Sequence, residues 1–245
     1  MNNKKSGLEL FSVLIINIIS AYSVFLLKEK ESFSIILQII IFVLALAVVV
    51  VFTKTNKSGL KKLLLVFLLL GFYGLFIEYL SIKTGFPYSK FEYGDNMGYK
   101  IAGIVPYSVF LIWPSLVIAA ISFSQIFSSS IRMRLLISAI ILIMLDLVFD
   151  PAATKMGLWL WYSAGNYYDV PWINFLGWGF SSTISVLLFY LFFRKLIQNK
   201  YLNYIFLGNL LIWTVMCLLM RLEGPFMIGS SISIYSMFKL CRSYE

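Results

Sequence analysis

Residues 35–52 read IILQIIIFVLALAVVVVF, a run without charge in which Gln38 is the one polar side chain. As a helix, a run of this length rises about 27 Å, close to the roughly 30 Å of a hydrocarbon layer. Backbone N–H and C=O groups find no water in that layer, and a helix closes their hydrogen bonds within the segment. A membrane strand would instead alternate apolar and polar side chains, and neither this run nor the one from Leu63 to Ile77 does so.

Further apolar runs stand at 8–27, 63–82, 101–123, 133–149, 174–193 and 202–220, followed by a shorter one at 226–240 containing Gly and Ser. Over the 245 residues, 60% are hydrophobic and 13% charged, about half the charge of a soluble domain. The predicted fold is an all-α polytopic transmembrane helix bundle of seven to eight spanning helices. It forms one integral membrane domain over 1–245, without internal repeat or low-complexity linker. Whether 226–240 crosses or lies at the interface stays open. The run 8–27 follows Lys4 and Lys5 and ends in Lys28-Glu29-Lys30-Glu31 without a small-residue cleavage site, so it reads as a first span and not as a removed signal peptide.

The net charge is +9, yet the basic residues sit in short loops between runs, which argues for membrane topology and against nucleic acid as a partner. With eight spans and a cytoplasmic N-terminus, thirteen of the 20 Lys and Arg face the cytoplasm. The expectation is a multi-pass cell-membrane protein with its N-terminus inside. Glu78, Glu92, Asp95, Asp146, Asp150, Asp169 and Glu223 gather at the opposite face. Loop solvation accounts for Glu92, Asp95 and Asp169. Glu78 and Asp146 lie within apolar runs, where a central carboxylate costs about 2.5–3.5 kcal/mol and commonly faces the interior in a functional role.

Asp146 and Asp150 are four residues apart, on one face of a helix. Two carboxyls that close in a poorly hydrated place favour keeping a proton on one of them, which makes a general acid. Alternatively, Asp150 simply ends the helix before Pro151. Downstream lie Trp159, Trp161, Tyr162, Tyr167, Tyr168, Trp172, Phe175, Trp178 and Phe180, interleaved with Gly157, Gly165, Asn166, Pro171, Asn174, Gly177 and Gly179. An interfacial belt explains some of these rings. Their mixture with turn formers reads as a shaped loop, and aromatic faces stabilise cations. The loop from Thr84 to Gly94, just after Glu78, has the same mixture, and the two loops are expected to roof one pocket.

The chain has no histidine, which excludes His-ligated metals and His general base catalysis. No GxGxxG or P-loop motif is present, and Cys217 and Cys241 form no redox or disulfide pattern. No cofactor and no bound metal is expected, although magnesium on Asp146 and Asp150 remains open.

These motifs resemble the carotenoid biosynthesis membrane protein family that includes the carotenoid hydratases. The resemblance rests on Glu78 with Thr84-Gly85-Phe86-Pro87-Tyr88 and Tyr93; on Gly103-Ile104-Val105-Pro106; on Asp146 with Asp150-Pro151 and Trp159-Leu160-Trp161; and on Gly165-Asn166-Tyr167-Tyr168-Asp169-Val170-Pro171 leading to Asn174 and Gly177-Trp178. It covers roughly residues 70 to 180. Two departures stand where glycine is usual, Ser89 and Asp169. The resemblance implies a carotenoid hydratase of the hydro-lyase type, which adds water across the terminal carbon–carbon double bond of an acyclic carotenoid end group to give a tertiary alcohol. Glu78, Asp146 and Asp150 are then the catalytic candidates. Tyr93, Trp159, Trp161, Tyr167, Tyr168, Asn174 and Trp178 are the substrate-binding candidates. A lipophilic carotenoid and membrane lipid are the implied partners; oligomeric state is not legible, nor is which carboxylate is the acid. The alternatives are a lycopene-cyclase-like isomerase, a membrane prenyltransferase, and a proton-coupled transporter or carotenoid-binding membrane protein.

Overall fold

Each apolar run contributes a helix. The computed structural model describes residues 2–28, 32–55, 60–163, 165–193 and 199–243. The acidic and basic residues at 29–31, 56–59 and 194–198, which enter the loop-charge reading, lie outside the described residues. The helices are α1 (Asn2–Leu27), α2 (Phe33–Thr55), α3 (Leu60–Thr84), α4 (Ser108–Ser124), α5 (Ile131–Lys155), α6 (Trp172–Phe192), α7 (Lys200–Leu219) and α8 (Glu223–Ser243). Among the described residues, six are long and apolar enough to cross a membrane: α1, α2, α3, α5, α6 and α7. The protein is thus an all-α polytopic membrane bundle. The segment predicted at 226–240 is helical throughout α8 but less apolar than those six.

The predicted span 101–123 is corrected to the 17-residue α4. Its first residues instead form a hairpin, β2 (Lys100–Ile101) paired with β3 (Val105–Pro106). Two local causes end the helix there: Gly103 turns at φ 71°, and Val105 precedes a proline, which disfavours helical backbone. A short helix is tolerated because α4 is the bundle's axis, not its wall. It packs against α2, α3, α5, α6 and α7, and Val117, Ile118, Ala120 and Ile121 are fully buried. The rim turns large apolar groups outward, among them Phe42, Phe72 and Leu191, as lipid solvation permits.

Lipid supplies no hydrophobic drive between helices, so small residues and interhelical hydrogen bonds define the seams. A Cβ on Gly74 of α3 would stand 2.9 Å from Trp113 Cβ on α4, so glycine lets that indole lie flat against α3. The Trp113 indole N–H then reaches across to Ser185 Oγ on α6 at 2.9 Å.

At the opposite end of the chain's acidic face, the predicted span 133–149 is lengthened. Helix α5 passes through Pro151 and runs on to Lys155. Asp150 therefore lies inside the helix and does not end it. A proline has no N–H for the carbonyl four residues back, here Leu147. That carbonyl is not left bare: the Tyr167 hydroxyl donates to it at 3.0 Å.

The two loops expected to share a roof do so through backbone. Strand β1 (Phe91–Tyr93) pairs antiparallel with β4 (Trp159–Trp161), matching Phe91 to Trp161 and Tyr93 to Trp159. The roof is seated on α6 at Gly177, where an added Cβ would lie 2.6 Å from the Pro87 carbonyl oxygen and against the Tyr88 ring. Gly177→Ala is expected to destabilise the protein by about 1–3 kcal/mol, the usual cost of overpacking. Thermal unfolding of purified protein in detergent checks this; a wild-type midpoint refutes the seam.

Candidate active site

Beneath the β1–β4 roof lies a cavity. Its polar lining consists mainly of Glu78 from α3, Asp150 from α5, Asn174 from α6 and the Tyr88 and Tyr93 hydroxyls, set among indoles and aliphatic groups. Glu78 and Asp150 are 8% and 2% exposed, so both carboxyls meet the cavity and almost no bulk solvent.

Each is held by a partner. The Tyr93 hydroxyl donates to the Glu78 carboxylate. Burial first, and the facing Glu78 carboxylate second, push the Tyr93 phenol well above its usual range, which keeps it a donor at any accessible pH. The Asn174 amide nitrogen donates to both aspartates, to Asp146 Oδ2 at 2.8 Å and to Asp150 Oδ2. One NH₂ group thus uses both hydrogens to clamp the pair. Asp146 is fully buried behind Asp150 and does not line the cavity. Its carboxyl lies within hydrogen-bond reach of that of Asp150, and its Oδ1 meets no N–H or hydroxyl donor.

Four indoles form the walls: Trp113, Trp159, Trp161 and Trp178. Trp113 and Trp178 pack with centroids 5.1 Å apart, and Phe149 stands edge-on to Trp159 at 5.1 Å. Trp161 is fixed by an indole N–H bond to Thr154 Oγ1 at 3.2 Å. Trp113 was not among the sequence candidates. Its signal was available: a tryptophan at the centre of the uncharged run 101–123, not in a loop where a belt would place it. Tyr88, Phe91, Met97 and Phe149 also line the cavity. Tyr88 is fixed by donation to Ser181 Oγ at 2.8 Å.

Of the predicted set, Glu78, Asp150, Tyr93, Trp159, Trp161, Asn174 and Trp178 converge on this cavity. Tyr167 and Tyr168 do not. Tyr167 closes the gap left by Pro151 and packs on Tyr168, Trp172 and Phe175. Tyr168 reaches the first turn of α8, its hydroxyl accepting from Gly224 N at 2.9 Å. Their place in the loop put them near the site, but neither lines the cavity. Tyr167→Phe is expected to leave the Leu147 carbonyl without its hydroxyl and to cost about 1–3 kcal/mol. Detergent unfolding of the variant reads this, and an unchanged midpoint counts against it.

The two departures from glycine have a common geometry. Ser89 has φ 99° and Asp169 φ 67°, the left-handed region that glycine enters freely. Ser89 keeps a use for its side chain, a 3.2 Å hydroxyl contact with Ser163 that ties the two loops. Ser89→Gly is expected to change stability by about 1 kcal/mol in the favourable direction, since the strain relieved exceeds one exposed hydroxyl bond; a lowered unfolding midpoint contradicts this.

Among the described residues no group of three or more Cys, Asp or Glu side chains is placed to hold a metal ion. The cavity therefore offers two separate carboxyls, held from different helices, facing one apolar and aromatic space.

Comparison with known proteins places this geometry. Residues 35–235 match the family model described as carotenoid biosynthesis protein. Bisanhydrobacterioruberin hydratase of Haloarcula japonica is 37% identical over 138 residues, which span 55% of this chain and 45% of that protein. No solved structure gives a significant match. With most of its length covered by the family model, the chain belongs to the carotenoid biosynthesis protein family.

Proposed function

We propose that the protein hydrates the terminal double bond of an acyclic carotenoid end group by acid–base chemistry between Asp150 and Glu78. The observation that carries this reading is the pair of carboxyls, from α5 and α3, meeting one buried cavity walled by four indoles. The name of the Haloarcula relative agrees with it.

Two carboxyls in hydrogen-bond reach of each other need a proton between them to bond, and the Asp146–Asp150 pair is such a place. Asp150, the member that faces the cavity, delivers this proton to the less substituted carbon of the double bond. The π pair forms the new C–H bond, and the positive charge falls on the tertiary carbon. The indole faces stabilise that cation as they do other cations. Water then attacks the tertiary carbon through an oxygen lone pair. Its surplus proton passes to Glu78, oriented by Tyr93, and returns to the aspartate pair before the next turnover. The sum is alkene plus water to tertiary alcohol, with no electron gained or lost.

The lining also argues for an uncharged substrate, since two carboxyls and no Lys or Arg face the cavity. This suits a hydrocarbon end and opposes a diphosphate, the substrate a prenyltransferase would hold. Expression in a lycopene-producing host, followed by mass analysis of the pigments, tests the reading. A gain of one or two waters is expected. Unchanged mass with a ring chromophore indicates the cyclase-like isomerase instead, and unaltered lycopene refutes both.

A further inference from the structure

A long hydrocarbon whose end sits under the roof needs somewhere for the rest of its chain, and the bundle contains one continuous place for it. The carboxyl cavity shares Met97, Ile112, Leu116, Phe149 and Trp159 with a second cavity of about 1020 Å³. That one in turn shares Ile40, Leu44, Asn209 and Ile212 with a third of about 1260 Å³. The lining positions advance in order along three helices: from Val24 back to Glu9 on α1, from Leu37 to Val51 on α2, and from Met216 back to Tyr201 on α7. On each helix they recur every three or four residues, the spacing of a single face. This is one groove parallel to the helix axes. Fourteen or fifteen residues at 1.5 Å each make it about 22 Å long, most of a bilayer's hydrocarbon depth.

The groove's walls are mostly apolar, with Asn209 at the junction of the second and third cavities, and other polar groups along it are bonded. Ser20 donates to its own helix at Ile16 O, and Asn17 likewise to Val13 O. At the far end the polar groups satisfy one another: Lys200 Nζ bridges Glu9 at 2.8 Å, and the Tyr204 hydroxyl donates to the same carboxylate at 3.3 Å. Near the middle, Gly208 lets α7 approach α1, where an added Cβ would stand 2.9 Å from the Asn17 side chain.

We propose that the groove between α1, α2 and α7 is the binding site for the extended polyene chain, with the reacting end under the β1–β4 roof and the distal end near the Glu9–Lys200 bridge. This rests on the reading of the carboxyl cavity as an end-group site and adds to it a required substrate shape: long, narrow, unbranched in outline and apolar to the far membrane face. A short terpene with the same end group fills the first cavity and leaves the groove empty.

The test fills the groove while leaving the carboxyl cavity alone. Leu44→Trp on α2 and Ile212→Trp on α7 each place an indole at the constriction shared by the second and third cavities, and Phe42→Trp, on the lipid-facing side of α2, is the control. Lycopene binding to the protein in lipid nanodiscs is read from the circular dichroism induced in its visible bands, and hydration of myrcene, which carries the same end group without a polyene, is followed in parallel. Lycopene affinity is expected to fall about tenfold or more in both groove variants, as overpacking of a filled site requires, with myrcene conversion and the Phe42→Trp protein unaffected. Wild-type lycopene affinity in both groove variants overturns the assignment, as does an equal loss of the short substrate. If the groove variants lose lycopene while the wild type hydrates neither compound, the groove stands and the hydratase reading fails.

Discussion

Asp150→Asn is expected to lower conversion of an acyclic carotenoid by about 10²–10⁴-fold, the usual contribution of a positioned proton donor. The substitution is nearly isosteric, and the new amide oxygen can still accept from Asn174, so the clamp that α6 places on α5 is retained. What disappears is the acid proton at the one member of the pair that faces the cavity. Asp146→Asn serves as comparison. Its side chain is fully buried and off the cavity surface, so it acts through Asp150, and a smaller loss, on the order of tenfold, is expected where only the partner of a hydrogen bond is changed. Pigment mass analysis with protein level normalised in the membrane gives both numbers. A wild-type rate for Asp150→Asn removes it from the mechanism; a larger loss for Asp146→Asn reverses the roles.

Glu78→Gln carries the second large effect, again about 10²–10⁴-fold on formation of the hydroxylated product. Glutamine still accepts from the Tyr93 hydroxyl but takes no proton from water. Protonation by Asp150 remains open in this variant, so a cation without a base to assist water relaxes by giving a proton from a neighbouring carbon back to the Asp150 carboxylate, the C–H pair forming the new double bond. A product of unchanged mass with a moved double bond is the expected companion. The double variant Glu78→Gln with Asp150→Asn is expected to be about as slow as the slower single one, because groups that serve one reaction as a unit are not additive in free energy. Full multiplication of the two losses in the double variant is the result that separates the residues into independent roles. Loss of hydroxylated product without any rearranged companion places Glu78 before the cation and not after it.

The Asp146, Asp150 and Asn174 cluster shows how far each level of description reaches. The four-residue spacing puts both aspartates on one face of α5, and that much is arithmetic on the chain. Which of them meets the cavity is a question of how α5 is turned about its own axis, against α6 at the Asn174 clamp and beneath the roof strands. The same holds for the tyrosines. Tyr167 and Tyr168 share a loop with Trp159 and Trp161, yet the two indoles wall the cavity while Tyr167 braces α5 and Tyr168 meets α8, because β4 pairs with β1 only over residues 159–161.

Membrane insertion, by contrast, is a property of each segment alone. The transfer of an uncharged run into lipid is a local sum over its side chains, so the apolar runs, the all-α class, the interior carboxyls Glu78 and Asp146, and the motifs shared with the carotenoid biosynthesis family were all legible in the chain. The ends of α4 and α5 were not. Helix α4 can be short because neighbours and not lipid surround it, and α5 passes through Pro151 because the Tyr167 hydroxyl, from twenty residues after Leu147, takes the carbonyl that proline leaves free. The groove along α1, α2 and α7 is of the same kind: its lining residues look in sequence like any lipid-facing stripe, and only the packing of three helices side by side brings them along one shared groove.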